Sequence, residues 1–196
     1  GLGDVYKRQE RELAREPGST VIHNLITSKA VPEIIRENGG EPVRTRVGHS
    51  FIKAKMAETN AVFGGEHSAH YYFRDFWRAD SGMLAAMHVL AALGQQDKPL
   101  SEMMAKYNRY AASGEINSRL DSAEAQADRT EAVVKAFADR AENVDRLDGV
   151  TVELKDGNWF NVRASNTEPL LRLNVEADTQ EAVDALVKEI LAIIRA

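Results

Sequence analysis

The chain has 196 residues, 43% hydrophobic and 28% charged, with 25 Lys and Arg against 30 Asp and Glu and no cysteine. That length holds one large or two small domains. The absent cysteines exclude a disulfide scaffold and Cys-ligated zinc or iron–sulfur sites, and apolar runs broken every few residues exclude a membrane span of about 20 residues. A net charge of -5 argues against a broad nucleic-acid-binding face, although a local basic cluster can still hold a small anion. The composition predicts a mildly acidic, soluble, cytoplasmic globular protein with neither nucleic acid nor membrane as partner.

Gly1 to Gln9 lacks the charged and apolar regions of a signal peptide and has no initiating Met. The run reads as a non-native lead before a helical segment from Glu10 to Glu16; a native loop is the alternative. From residue 10 to 112 strands and helices alternate. Thr20 to Ile26 is β-branched and apolar, bounded by Pro17-Gly18, and predicts a buried strand. Ser28 offers a cap to a helix carrying Val31, Ile34 and Ile35, which Asn38-Gly39-Gly40 ends. Val43, Thr45 and Val47 alternate as a strand. Gly48-His49-Ser50 turns into a helix with Phe51, Ile52 and Met56 inward. Ala61 to Gly64 is a third short strand, residues 65 to 79 form a polar and aromatic loop, and Asp80 to Leu93 is a helix with Met83, Leu84, Met87, Leu90 and Ala91 at helical spacing. This order predicts an α/β domain with a parallel sheet, whose functional loops leave the carboxyl ends of the strands.

After a connecting helix from Lys98 to Tyr110 the order changes, and residues 113 to 196 predict a small α+β domain with an antiparallel sheet. Gly114 to Leu120 is its first strand. Ala123 to Ala138 is a helix with Ala132, Val133, Ala136 and Phe137 as its apolar stripe. Gly149 to Leu154 and Trp159 to Arg163 flank Asp156-Gly157, a hairpin signal. Leu170 to Val175 is a further strand, and Thr179 to Ile194 a final amphipathic helix.

Three polar stretches could carry chemistry. Gly64-Gly65-Glu66-His67-Ser68-Ala69-His70 follows a strand, and its glycines allow close backbone approach while Glu66, His67, Ser68 and His70 supply acceptors, a hydroxyl and titratable rings. It suits a polyol; metal binding by Glu66, His67 and His70, or a merely solvated loop, are the other readings. Arg163-Ala164-Ser165-Asn166-Thr167-Glu168-Pro169, with Arg172 beyond, has the donors of a phosphate nest and equally the composition of a polar turn. Gly48-His49-Ser50 opens a helix whose N-terminus, with His49 and Lys53, could attract an anion, while Ser50 could be only a cap.

Taken together in this order, the three stretches resemble the α-D-phosphohexomutases, most closely the bacterial phosphomannomutase/phosphoglucomutase branch. Gly65 to His70 is similar to the family's Gly-Glu-x-Ser-x-His sugar loop in its third domain, Arg163 to Pro169 to its Arg-x-Ser-Asn-Thr-Glu-Pro phosphate loop in the fourth, and Val47 to Lys53 to its Gly-His-Ser segment. The resemblance implies interconversion of hexose 1- and 6-phosphates through a bisphosphate intermediate and a phosphoserine, with Mg2+ assisting. On it, Glu66, His67 and Ser68 bind sugar, His70 handles the proton with His49 as a charge partner, and Arg163, Ser165, Asn166 and Thr167 clamp the non-reacting phosphate. The family's serine loop and Asp-Gly-Asp metal loop have no match here. The resemblance therefore implies domains three and four of a four-domain isomerase, inactive alone, with upstream domains as partner and the metal ligands outside this chain. Phosphoglucosamine mutase, whose branch favours Gly at the position of Asn166, and a non-catalytic sugar-phosphate-binding module are the alternatives.

Overall fold

The computed structural model describes residues 12–165 and 168–196, so the expected lead at residues 1–9 lies outside the described residues. The chain divides into two compact units, residues 1–109 and 110–196.

In the first unit β1 (Thr20–Asn24), β2 (Glu41–Thr45) and β3 (Phe63–Gly65) run parallel, linked through α1 (Ala30–Glu37) and α2 (His49–Thr59). β1 lies between the other two and buries Val21 and Ile22, whereas β2 is an edge strand and so accommodates Pro42, which has no N–H to donate. The Ser28 hydroxyl accepts the Ala30 N–H at 3.1 Å from one residue ahead of the cap position, which Lys29 holds, and Val31, Ile34 and Ile35 are buried. α2 ends at Asn60, whose left-handed backbone (φ 51°) stops the helix.

The expected loop at 65 to 79 contains two further strands, β4 (Tyr71–Phe73) and β5 (Ala79–Asp80), both antiparallel, so the sheet is mixed and ordered β2-β1-β3-β4-β5. Strands this short are below the length at which alternation shows. The parallel strands share register, with Asn24 opposite Thr45 and His23 opposite Gly65, so the loops that follow them leave one edge.

Two expectations about buried faces are overturned. Phe51 is 43% exposed beneath the Arg46 guanidinium, because Ile52 and Met56 take the inner face of α2. In α3 (Gly82–Leu93), capped by the Ser81 hydroxyl on the Leu84 N–H, the buried residues are Ala85, Val89 and Ala92, while Met83 (73%), Met87 (58%) and Leu90 (66%) are exposed. The helix carries no Asp, Glu, Lys or Arg, and in a helix apolar all round periodicity cannot say which face turns inward. The connecting helix is short, α4 (Leu100–Ala105), and near the end of the unit Arg109 bonds Glu37 at 2.6 Å and Glu33 at 3.0 Å on α1.

The second unit comprises β6 (Ala111–Arg119), α5 (Ala123–Phe137), β7 (Ala141–Asp145), β8 (Val150–Leu154), β9 (Trp159–Ala164), β10 (Leu170–Ala177) and α6 (Gln180–Ile194). The strands form one antiparallel sheet, β6-β10-β9-β8-β7. Alternation splits its faces: Phe160, Val162, Leu171 and Leu173 pack with Val133 and Phe137 of α5 and Val183, Leu186 and Ile190 of α6. The alternate residues form a polar ladder in which Trp159, Asn161 and Arg163 stand opposite Glu176, Asn174 and Arg172. Ala136, expected in the α5 stripe, is exposed, and Gln126 is buried instead. β7 was not expected, being a polar edge strand without alternation. Among the described residues no helix is long and apolar enough to cross a membrane.

Candidate functional site

At the carboxyl edge of the first unit, β3 runs into a tight loop closed by the Glu66 N–H on the His70 carbonyl (3.0 Å), with Ala69 at φ 65°. Glu66 is only 4% exposed, and a carboxylate so buried must be fully hydrogen-bonded. Its Oε1 accepts from the Tyr72 hydroxyl at 2.6 Å and its Oε2 from the Gly48 N–H at 3.1 Å. Burial first, then the bond to Glu66, raises the Tyr72 pKa, so the phenol keeps its proton. Gly48 has φ 125°, a conformation open to glycine, and this bend aims its N–H at the carboxylate at the start of α2.

The same hydroxyl of Tyr72 lies 3.2 Å from His49 Nδ1. His70 Nδ1 lies 2.6 Å from Asp80 Oδ2, while Asp80 Oδ1 accepts the Tyr71 N–H at 2.8 Å. The His49 and His70 rings meet edge-on with centroids 5.3 Å apart. Gly64 makes this approach possible: a Cβ there would stand 2.9 Å from Ile52 Cγ2 and 3.1 Å from Met56 Sδ, lifting α2 and with it His49 from the sheet.

Of the residues expected here, His49, Glu66 and His70 thus share one network. Ser68 is exposed in the loop, and His67 is half-buried with a buried Nδ1 that has no partner. Ser50 does not cap α2; Gly48 holds the cap position, and Lys53 is exposed one turn on. Tyr72 and Asp80 are the members that sequence reasoning missed. Among the described residues no three His, Asp or Glu side chains are grouped to hold a metal ion.

In the second unit Arg163 and Arg172 face each other across β9 and β10, and each has a buried Nε without a partner. Like charges directly opposite are unfavourable. Glu115, 3.3 Å from Arg172, offsets part of this, and Arg172 also donates to the Ser165 hydroxyl at 3.3 Å. Arg163 is held from behind by Gly149 (φ 66°), where a Cβ would run into the Val162 carbonyl and stand 2.8 Å from Arg163 Cα. Asn166 and Thr167, expected to complete this loop, lie outside the described residues.

Comparison with known proteins bears on both sites. Residues 5–110 match the phosphoglucomutase/phosphomannomutase alpha/beta/alpha domain III, and residues 115–193 match the C-terminal domain of the same family. A phosphomannomutase of Methanocaldococcus jannaschii is 40% identical over 185 residues, 94% of this chain and 40% of that protein. One of Escherichia coli is 38% identical over 189 residues, 95% of this chain and 40% of that protein. A solved phosphoglucomutase/phosphomannomutase family protein of Burkholderia thailandensis superposes with a TM-score of 0.82 at 28% identity, covering 99% of this chain and 42% of the other. The chain therefore spans about 40% of the length of the curated relatives it matches. With two consecutive domain matches filling nearly all of its length, the chain belongs to the phosphoglucomutase/phosphomannomutase family, as a portion equivalent to its third and fourth domains.

Proposed function

We propose that the chain is the sugar-recognising and phosphate-holding part of an enzyme that moves a phosphoryl group between the 1- and 6-positions of mannose or glucose phosphates. Glu66 and Ser68, with His67 beside them, bind sugar hydroxyls. His70 takes the proton that a sugar hydroxyl must release when its oxygen bonds to phosphorus, and His49 stands beside it as a charge partner. Arg163 and Ser165, with Asn166 and Thr167, clamp the phosphate that is not reacting. Such a division suits phosphoryl transfer, which depends mainly on positioning and charge stabilisation. The phosphoserine and the upstream domains are assigned to the rest of the whole protein, as is Mg2+, which would there neutralise charge on the transferring group. The donor groups described in this chain do not assemble a site for that ion, and no step here runs through it.

The observation that carries the reading is the opposed pair Arg163 and Arg172, whose buried, unpartnered Nε atoms make a seat that an anion would complete. Titration of the chain with mannose 6-phosphate and glucose 6-phosphate by calorimetry tests it. Arg163→Ala should weaken both by about tenfold or more, the scale of one lost charge-assisted hydrogen bond. Lys155→Ala, in the distant hairpin turn, should change neither more than about twofold. Equal losses in the two variants, or none, would remove the clamp.

A further inference from the structure

We infer that Asp80 and the Tyr72–Glu66 pair are positioning residues that lock His70 and His49 in one and the same tautomer, each with its proton on Nδ1 and an unprotonated Nε2 offered to ligand hydroxyls. The assignment follows from counting protons. A carboxylate only accepts, so the 2.6 Å contact between Asp80 Oδ2 and His70 Nδ1 requires the proton on Nδ1. Asp80 cannot turn away, because its other oxygen holds the Tyr71 N–H at 2.8 Å. At His49 the count takes one more step. Tyr72 has a single hydroxyl proton, and it is committed to Glu66 Oε1 at 2.6 Å. Toward His49 the phenol oxygen can then only accept, so at 3.2 Å the proton lies on His49 Nδ1. The reverse arrangement would leave two buried oxygens, Tyr72 Oη and Glu66 Oε1, facing each other without a proton between them. Neither Nε2 has a partner among the described residues.

The consequence is a site that presents acceptors. In their neutral form the two imidazoles, whose rings meet edge-on, offer Nε2 lone pairs beside a carboxylate, which suits a ligand rich in O–H donors and leaves His70 Nε2 ready to receive a proton. This deepens the proposed function and rests on it for the identity of the ligand, but the tautomers themselves do not depend on it.

The test is nitrogen-15 NMR of the imidazole rings in the full chain at a pH of about 8, above the ordinary imidazole range. Both His49 and His70 are expected with protonated Nδ1 and bare Nε2. In Asp80→Asn the amide oxygen stays on the Tyr71 N–H, the NH2 turns to His70 Nδ1, and the proton moves to Nε2. In Tyr72→Phe, His49 reverts to the tautomer mixture of a free side chain while His70 is unchanged. A protonated Nε2 in the wild-type rings, or no change at His70 in Asp80→Asn, would overturn the inference. Glucose 1-phosphate, titrated in parallel, should bind Asp80→Asn about tenfold more weakly. A switched tautomer with unchanged affinity would refute the role given to Nε2. If the wild-type chain binds no hexose phosphate while the tautomers come out as stated, the functional reading falls and the positioning assignment stands.

Discussion

The two sites solve the problem of buried polarity in opposite ways. In the first unit the Glu66 carboxylate, the Tyr72 hydroxyl, the Asp80 carboxylate and the Nδ1 atoms of His49 and His70 are all hydrogen-bonded without a ligand, and the two Nε2 atoms stay open. In the second unit two guanidiniums are set opposite each other with their Nε atoms unpartnered, and Glu115 at 3.3 Å and Glu168 at 4.0 Å from Arg172 offset part of the repulsion. A closed network prearranges atoms for a neutral polar ligand and contributes to folding. An open cationic pair contributes little to folding and keeps its hydrogen-bonding capacity for an anion.

Substitutions should separate the two cases. The largest effect is expected at Gly149, where an Ala Cβ collides with β9 and φ is positive; Gly149→Ala should cost the second unit about 3 kcal/mol in urea unfolding, because the β9 backbone at Val162 and Arg163 lies against this position. A neutral outcome would show that Arg163 is not held from behind. Next is pH. Burial lowers the His23 pKa from 6.5 to about 4, so as pH falls the unfolded chain takes up a proton before the folded one does. The stabilisation is full above about pH 6.5 and is lost as pH falls toward 4. All five histidines lie in the first unit, so between pH 7 and 5 that unit should lose about 2 kcal/mol from His23 while the second shows no histidine-linked slope. Separate near-ultraviolet and amide probes of each unit would read this, and a His23→Phe variant should flatten the slope.

Smaller effects test the closed and open networks directly. Tyr72→Phe leaves the buried Glu66 carboxylate without one of its donors and should cost about 1–2 kcal/mol without any ligand present. Arg172→Gln relieves a like-charge contact while losing the pair with Glu115, and should change unliganded stability by less than about 0.5 kcal/mol. A loss above about 1 kcal/mol at Arg172 would mean that the second site, too, is already satisfied.

How far these features could be read in the sequence depends on whether chemistry and burial coincide at a residue. Glu66, His49, His70 and Arg163 stand out because polar groups cluster directly after apolar strands. Tyr72 does not, because its ring belongs to the core beside Ile52 and Met56 and only its hydroxyl reaches the site. Asp80 hides as one more acid before a helix, and its role appears only when β5 pairs with β4 and sets it beside His70. The strand and helix order was readable wherever alternation or a cap ran for five residues or more. It failed for β4 and β5, too short to show a period, and for β7, where Ala141 and Val144 stand among Glu142, Asn143 and Asp145 without alternation. α3 was found but its inner face was not, since the small Ala85, Val89 and Ala92 turn inward, the last two packing with Met103, while the large Met83, Met87 and Leu90 face outward against the usual expectation.

The bond from the Gly48 N–H to Glu66 has a consequence in exchange chemistry. The first N–H groups of a helix ordinarily trade their protons with water quickly, because nothing within the helix accepts from them. Here the amide just ahead of α2 is held by a carboxylate at the base of another loop, so its proton is released only when loop and helix part. One slow amide at an otherwise exposed helix start would therefore count, from the backbone alone, how often the loop after β3 lets go.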